Sequence, residues 1–313
     1  MSEVQPLLSP GPHVFGRQKT PAMMRDVIIA LMPAVGASIY FFRARAALLI
    51  AVCVISCVAA EALIQFLMKR KITVTDGSAV LTGVLLAMVV PPALPLWMAA
   101  LGSFIAIGIA KELFGGLGSN IFNPALLGRA FLMAAFPTFM TAWNMPFTLD
   151  AVTSATPLGL VKFSHNLDIN YLNLFLGNVS GCVGETSAAA LLLGAAYLFV
   201  RKVIDWRIPL GYIATVALIS FITEKASAGT YAGPAFHLLA GGLIIGAFFM
   251  ATDPVTSPVT KTGRLIFGIG CGAITMVIRL WGGLPEGVMY SILLMNGLTP
   301  VLNRITRPRR YGT

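Results

Sequence analysis

Charge is what this sequence has least of. Only 11% of its 313 residues are Asp, Glu, Lys or Arg, where a soluble globular domain carries about 25%. Hydrophobic residues make up 57%, and apolar runs recur from one end to the other. That excludes a soluble domain with a single anchor and leaves an integral membrane protein. Cysteine is scarce too. Cys53, Cys57, Cys182 and Cys271 form no Cys-x-x-Cys pair, and at least Cys53, Cys57 and Cys271 lie in apolar segments, so no disulfide framework is expected. The three histidines, His13, His165 and His237, stand apart from the other candidate ligands, so no metal site is expected. There is no phosphate-binding P-loop, no dinucleotide fingerprint and no soluble domain. Any redox cofactor must therefore be held by the membrane helices or attached to a loop. Met1 to Arg25 is polar without an apolar core, so no cleaved signal peptide is expected. The net charge of +10 does not point to nucleic acid, because the basic residues sit in short clusters between apolar runs, where they set topology.

What is present is a series of apolar stretches, each near the roughly 20 residues that cross a bilayer as a helix. About ten are expected: Val27–Phe42, Ala46–Met68, a short one at Ser78–Val90 stopped by Pro91-Pro92, Leu96–Ala110, Pro124–Met140, Ser187–Val200, Ile208–Ile222, Phe236–Thr252, Leu265–Leu280 and Val288–Leu302. Their length and uniform apolarity fit helices rather than barrel strands. With the N-terminus inside, sixteen of the 22 Lys and Arg fall in cytoplasmic segments and five outside, which makes both termini cytoplasmic. Arg43 and Arg45 run against that bias. The long polar segment 141–186 then lies outside the cell. Segments 27–140 and 187–303 form two related units, flanked by cytoplasmic stretches 1–26 and 304–313. Thr82-Gly83-Val84-Leu85 before Pro91 resembles Gly242-Leu243-Ile244-Ile245 before Asp253-Pro254, and Asn123-Pro124 has an echo in Asn296 to Pro300. Five spans per unit is an odd number, so the fold class expected is all-α and polytopic, with two inverted five-helix repeats. In such folds Gly/Pro-broken helices at matching positions mark a site at the repeat interface.

Four places could carry chemistry. Asp150 to Thr156, in the outer segment, joins an acid to a small-residue run ending in a threonine whose hydroxyl another enzyme can modify. Alone it is also an ordinary Ser/Thr loop. Gly115 to Pro124 places Asn120 and Asn123 three residues apart, on one face if helical. Their amides offer donors and acceptors to a heteroaromatic ring with imide edges, or simply a helix cap. Asp253 ends the eighth span on the same side. Glu61 lies about two turns inside the second span, on one face with Cys53 and Cys57, and an intramembrane carboxylate is a candidate for an ion pathway.

With these residues in place, nearly the whole chain resembles the RnfD subunits of Rnf electron-transport complexes and the related NqrB subunits. The resemblance rests on Ser9 to His13, Met24 to Val27, Ala30 to Ala34, Asp76 to Gly83, Asn120 to Ala125, Ala251 to Val255 and, above all, Asp150 to Thr156. The last looks like a flavinylation motif, with Thr153-Ser154 where Ser-Gly is common. The absence of a long N-terminal extension resembles RnfD more than NqrB. The resemblance implies FMN joined through its phosphate to Thr156 by a separate flavin transferase, with Asp150 and Ser154 in the motif. It also implies a non-covalent riboflavin near the cytoplasmic side, beside Asn120, Asn123 and Asp253. Arg129 or Lys162 would neutralise the phosphodiester. Other Rnf subunits would oxidise ferredoxin and reduce NAD+, in a bacterial inner membrane, with electron flow coupled to Na+ or H+ translocation. The competing class is a channel or secondary transporter on an inverted-repeat fold; the Asp150–Thr156 motif in an outer loop favours the redox subunit.

Overall fold

The carbonyls and amides of a broken helix must find partners when lipid surrounds the protein, and the architecture is arranged around two such breaks. A computed structural model describes residues 20–147, 155–164, 170–185, 187–226 and 231–307. Helix α1 (Thr20–Leu67) bends back on itself at Arg43, whose φ of 52° interrupts it, so its two arms are the first two expected spans. Then follow α2 (Ser78–Met88), α3 (Leu96–Ile107) continued by a π-helical turn Gly108–Glu112, α4 (Pro124–Ala135), α5 (Pro137–Met140), α6 (Pro157–Ser164) and α7 (Tyr171–Leu176). The remainder is α8 (Ala188–Val200), α9 (Arg207–Ala226), α10 (Pro234–Leu239), α11 (Leu243–Ile245) with a π-helical turn Gly246–Met250, α12 (Lys261–Trp281) and α13 (Val288–Ile305). No strand occurs among the described residues. The chain is an all-α, multi-pass membrane protein. α1, α9 and α12 are long and apolar enough to cross a membrane, with α2, α4 and α8 as shorter apolar helices.

α2 begins where Asp76 Oδ1 accepts from Ser78 N (2.7 Å), after Gly77 turns the chain at φ 79°. Residues 82–88 are buried. The helix stops at Met88, and its terminal carbonyls are taken up by a loop from the other half of the chain: Gly184 N donates to Met88 O (2.7 Å) and Val183 N to Val90 O (3.1 Å). Arg45 completes the end, donating to Pro92 O (3.1 Å) and Leu94 O (2.8 Å). The arginine that ran against the charge bias is thus a cap for broken backbone.

The second break corrects the expected eighth span. It is not continuous over Phe236–Thr252 but parts at Ala240–Gly242, where Gly241 takes φ 70°. Arg279 donates to His237 O (2.6 Å) and Ala240 O (2.9 Å), and Gly242 N donates to Glu286 Oε1 (3.0 Å). Continuous hydropathy hid the break because the groups that satisfy it come from distant residues.

One apolar core runs through both halves. A small satellite of Leu158, Val161, Leu174, Ala232, Phe236 and Ala240 seats α6, α7 and α10, which places α6 against the membrane helices. α1 and α8 touch at Gly194, where an added Cβ would lie 2.0 Å from Ala30 O. Backbone cannot yield there, so Gly194→Ala is expected to cost about 1–3 kcal/mol through overpacking. Its detergent-solubilised melting temperature should fall; an unchanged one would mean the two helices part freely.

Candidate functional site

Thr156 ends the loop and caps α6, its Oγ1 accepting from Gly159 N (3.1 Å) and its carbonyl from Leu160 N (2.9 Å). Pro157 suits the first helical turn, where an N–H is not needed. The cap fixes the threonine on the rim of a cavity of ≈ 550 Å³, walled by Trp143, Phe163 and Tyr290 and floored by Arg129 and Glu286. That lies in the size range of small-molecule and cofactor pockets, roughly 300–1,000 Å³. A smaller cavity of ≈ 30 Å³ shares Trp143, Thr156 and Glu286 and reaches Glu185. Asp150 and Ser154 lie outside the described residues.

Arg129 comes up from α4 into this floor. It is 3% exposed and pairs with Glu286 Oε2 at 2.6 Å, so its charge is already met by a carboxylate. It also reaches Cys182 Sγ (3.6 Å). Lys162, the other basic residue expected near a phosphate, instead donates to Ile278 O (2.7 Å) and Leu284 O (2.8 Å), pinning α6 to the end of α12. Burial lowers its pKa.

Asn120, Asn123 and Asp253 do meet, though not through a helix. The chain over 115–123 is turns and coil. Asn123 is the N-cap of α4, its Oδ1 accepting from Ala125 N (3.1 Å) and Leu126 N (3.3 Å), and its Nδ2 donates to Met250 O (3.3 Å) at the end of the second broken helix. Asp253 accepts from Thr256 Oγ1 (3.0 Å) in the turn that follows. All three line a narrow cleft of ≈ 70 Å³ with Thr82, Lys111 and Phe249. Asn120 is 6% exposed, and its Oδ1 is buried without a partner among the described residues. An orphaned acceptor in a cleft calls for a donor, and a flavin imide N–H is one. Asn296, from the echoed motif, touches this site: in the amide orientation that satisfies both ends, its oxygen accepts from Asn123 N (3.1 Å).

Glu61 shares a buried helix face with Cys53 and Cys57, and all three are fully enclosed. It is not a lone carboxylate. Lys111, from the π-helical turn after α3, donates to Glu61 Oε1 (2.6 Å) and to Ser78 Oγ (2.6 Å). Gln65 Nε2 joins Glu61 (3.1 Å) to Glu112 (3.0 Å). Because Lys111 and Ser78 also line the asparagine cleft, this network is the cleft's back wall.

Sequence reasoning missed Glu286, Trp143 and Lys111 as site residues. Glu286 carried a signal: a lone acid in the Gly282-Gly283-Leu284-Pro285-Glu286-Gly287 turn between two apolar spans. Lys111 carried none, because it read as one of the cytoplasmic charges. All four cysteines are free and buried; for Cys53, Cys57 and Cys271 their placement in apolar segments implies this.

Comparison with known proteins adds the lineage. Residues 7–312 match the NQR2, RnfD, RnfE family. The chain is 48% identical to the D subunit of the Na(+)-translocating ferredoxin:NAD(+) oxidoreductase complex of Acetobacterium woodii, over 100% of this chain and 97% of that protein. It is 46% identical to the D subunit of the proton-translocating ferredoxin:NAD(+) oxidoreductase complex of Clostridium ljungdahlii, over 98% and 96%. It is 36% identical to the D subunit of the ion-translocating oxidoreductase complex of Escherichia coli K12, over 97% and 98%. With a match along nearly its whole length and relatives of this similarity, the chain belongs to the NQR2, RnfD, RnfE family.

Proposed function

We propose that this chain is the membrane subunit of a ferredoxin:NAD+ oxidoreductase complex that moves Na+ or H+, carrying FMN esterified through its phosphate to Thr156. Thr156 on the rim of a flavin-sized, aromatic-walled cavity is the observation that carries this reading. The names of its relatives support the complex and the overall reaction; those two relatives are named for different ions at 48% and 46% identity, so overall similarity selects neither. A solute channel would gain nothing from such a threonine.

FMN would supply electron transfer; the chain supplies position and electrostatics. Capping by Gly159 N holds the Thr156 oxygen still, and a flavin transferase would act on it from the outer face, where the Lys/Arg bias puts the loop. Trp143, Phe163 and Tyr290 offer faces for a flat ring. Arg129, neutralised by Glu286, contributes an oriented donor more than a free charge. Asn120 Oδ1 and the Asn123 and Asp253 turns would meet riboflavin on the opposite, cytoplasmic side, where the cleft, at ≈ 70 Å³, must widen several-fold to admit a flavin ring. The two broken helices belong to inverted five-helix repeats in this reading, each delivering one end to the cleft. Glu61, enclosed behind the cleft and bonded to Lys111 of its lining, would exchange an ion or proton with the cleft by way of Lys111. Ferredoxin and NAD+ are met by partner subunits, in a bacterial inner membrane.

The test is in-gel flavin fluorescence after denaturation, on the chain co-expressed with its flavin transferase. The wild-type band is expected to fluoresce and Thr156→Ala to be dark. A dark wild-type band, with the transferase active on another substrate, overturns the reading.

A further inference from the structure

The carboxylates beneath the Thr156 cavity are not equivalent. Glu286 is committed: Oε2 meets Arg129 (2.6 Å) and Oε1 accepts from Gly242 N (3.0 Å). Among the described residues Glu185 has no cation of its own. Its Oε1 accepts from Cys182 N (2.7 Å), and its Oε2 is buried without a partner. The charged and titratable groups around it are Arg129 from α4, Glu286 before α13, Arg279 from α12 and Cys182 from its own loop. Arg279 directs its bonds to the carbonyls of His237 and Ala240. An ionised oxygen left buried and unpaired is costly, and protonation removes that cost. The arginines on either side keep the ionised form within reach. Glu185 is therefore built to hold a proton and to release it.

The small cavity gives that proton a way out. It is lined by both Glu185 and Thr156, with Ser180 and Glu286 adding polar atoms. At ≈ 30 Å³ it exceeds the roughly 10–15 Å³ a water needs, and it offers the polar partners that water requires.

We propose that Glu185 is the proton-exchanging group of the flavin carried on Thr156, acting through water in this small cavity. The inference rests on the covalent-flavin reading. When one electron, delivered by the one-electron carriers of the complex, arrives at the flavin, Glu185 breaks its O–H bond and passes the proton through water to a ring nitrogen. Glu185 is left as the carboxylate, facing Arg129 and Arg279. When the electron leaves, the proton returns and the carboxyl re-forms. Charge movement at the outer flavin is thereby matched by one proton within the protein.

The experiment is redox-difference infrared spectroscopy on films of the purified complex, with covalent flavin quantified on a denaturing gel from the same sample. In wild type, reduction of the flavin should remove intensity from the C=O stretch of a protonated carboxyl, and the lost band should shift downward in D2O. In Glu185→Gln that loss should be absent; in Glu185→Asp it should return at a displaced frequency. If Glu185→Gln fails to accumulate, the wild-type and Glu185→Asp spectra decide alone. No carboxyl loss in wild type, a loss surviving in Glu185→Gln, or a band undisplaced in Glu185→Asp overturns the proposal. A sample without covalent flavin overturns the Thr156 reading instead, so the two failures are told apart.

Discussion

Replacing Arg129 with leucine is expected to cost about 3–5 kcal/mol of stability, as removal of one partner of a buried ion pair generally does. The loss comes from what remains. Glu286 would keep its bond from Gly242 N but lose the guanidinium at 2.6 Å, leaving a mostly buried carboxylate with one neutral donor. Because that donor is the first amide of the second broken helix, the damage should spread to the Ala240–Gly242 break. Arg129→Leu combined with Glu286→Leu should recover most of the loss, since two apolar side chains impose no charge on the interior. Thermal unfolding of the detergent-solubilised chain, single variants against the double, measures this. Equal melting temperatures for Arg129→Leu and wild type would mean that water reaches Glu286 and the pair is effectively a surface one. Flavin attachment to Thr156 should persist in the double variant, because the threonine's own cap comes from Gly159 N.

Lys111→Met is expected to be as damaging, at about 3–5 kcal/mol, and for the same reason. Glu61 is fully enclosed, and one of its oxygens is already unpartnered. Without Lys111 it would depend on Gln65, which is shared with Glu112 and Thr73, and on a long bond from Thr73 Oγ1 (3.5 Å). Here the double substitution separates fold from function. Lys111→Met with Glu61→Leu should restore most of the melting temperature. It should still abolish ferredoxin-driven ion uptake into vesicles holding the whole complex, because the proposed exchange needs the carboxylate. Full uptake in a well-folded double variant would remove Glu61 from the ion route and leave it as a structural pair.

The helical, multi-pass character of the chain was legible in the residues themselves. Apolar length fixes where a chain can cross lipid, and eight of the ten expected stretches correspond to single helices or helix arms; Pro124–Met140 parts at Phe136 and Phe236–Thr252 at Ala240–Gly242. Caps were legible for the same local reason: Asp76-Gly77-Ser78 and Asn123-Pro124 each carry the side chain that satisfies the helix end beside them. Thr156 stood out as a small-residue run ending in a hydroxyl. What the tertiary structure alone decided is where charge goes. Arg45 and Arg279 cap broken backbone, Lys111 is the buried partner of Glu61, and Glu286 pairs with Arg129. Each of these pairings joins residues at least 39 positions apart. A window of sequence reports what a residue can form with its neighbours. The partner of a buried charge is chosen by the long-range packing that removes water from around it, and that choice has no local trace.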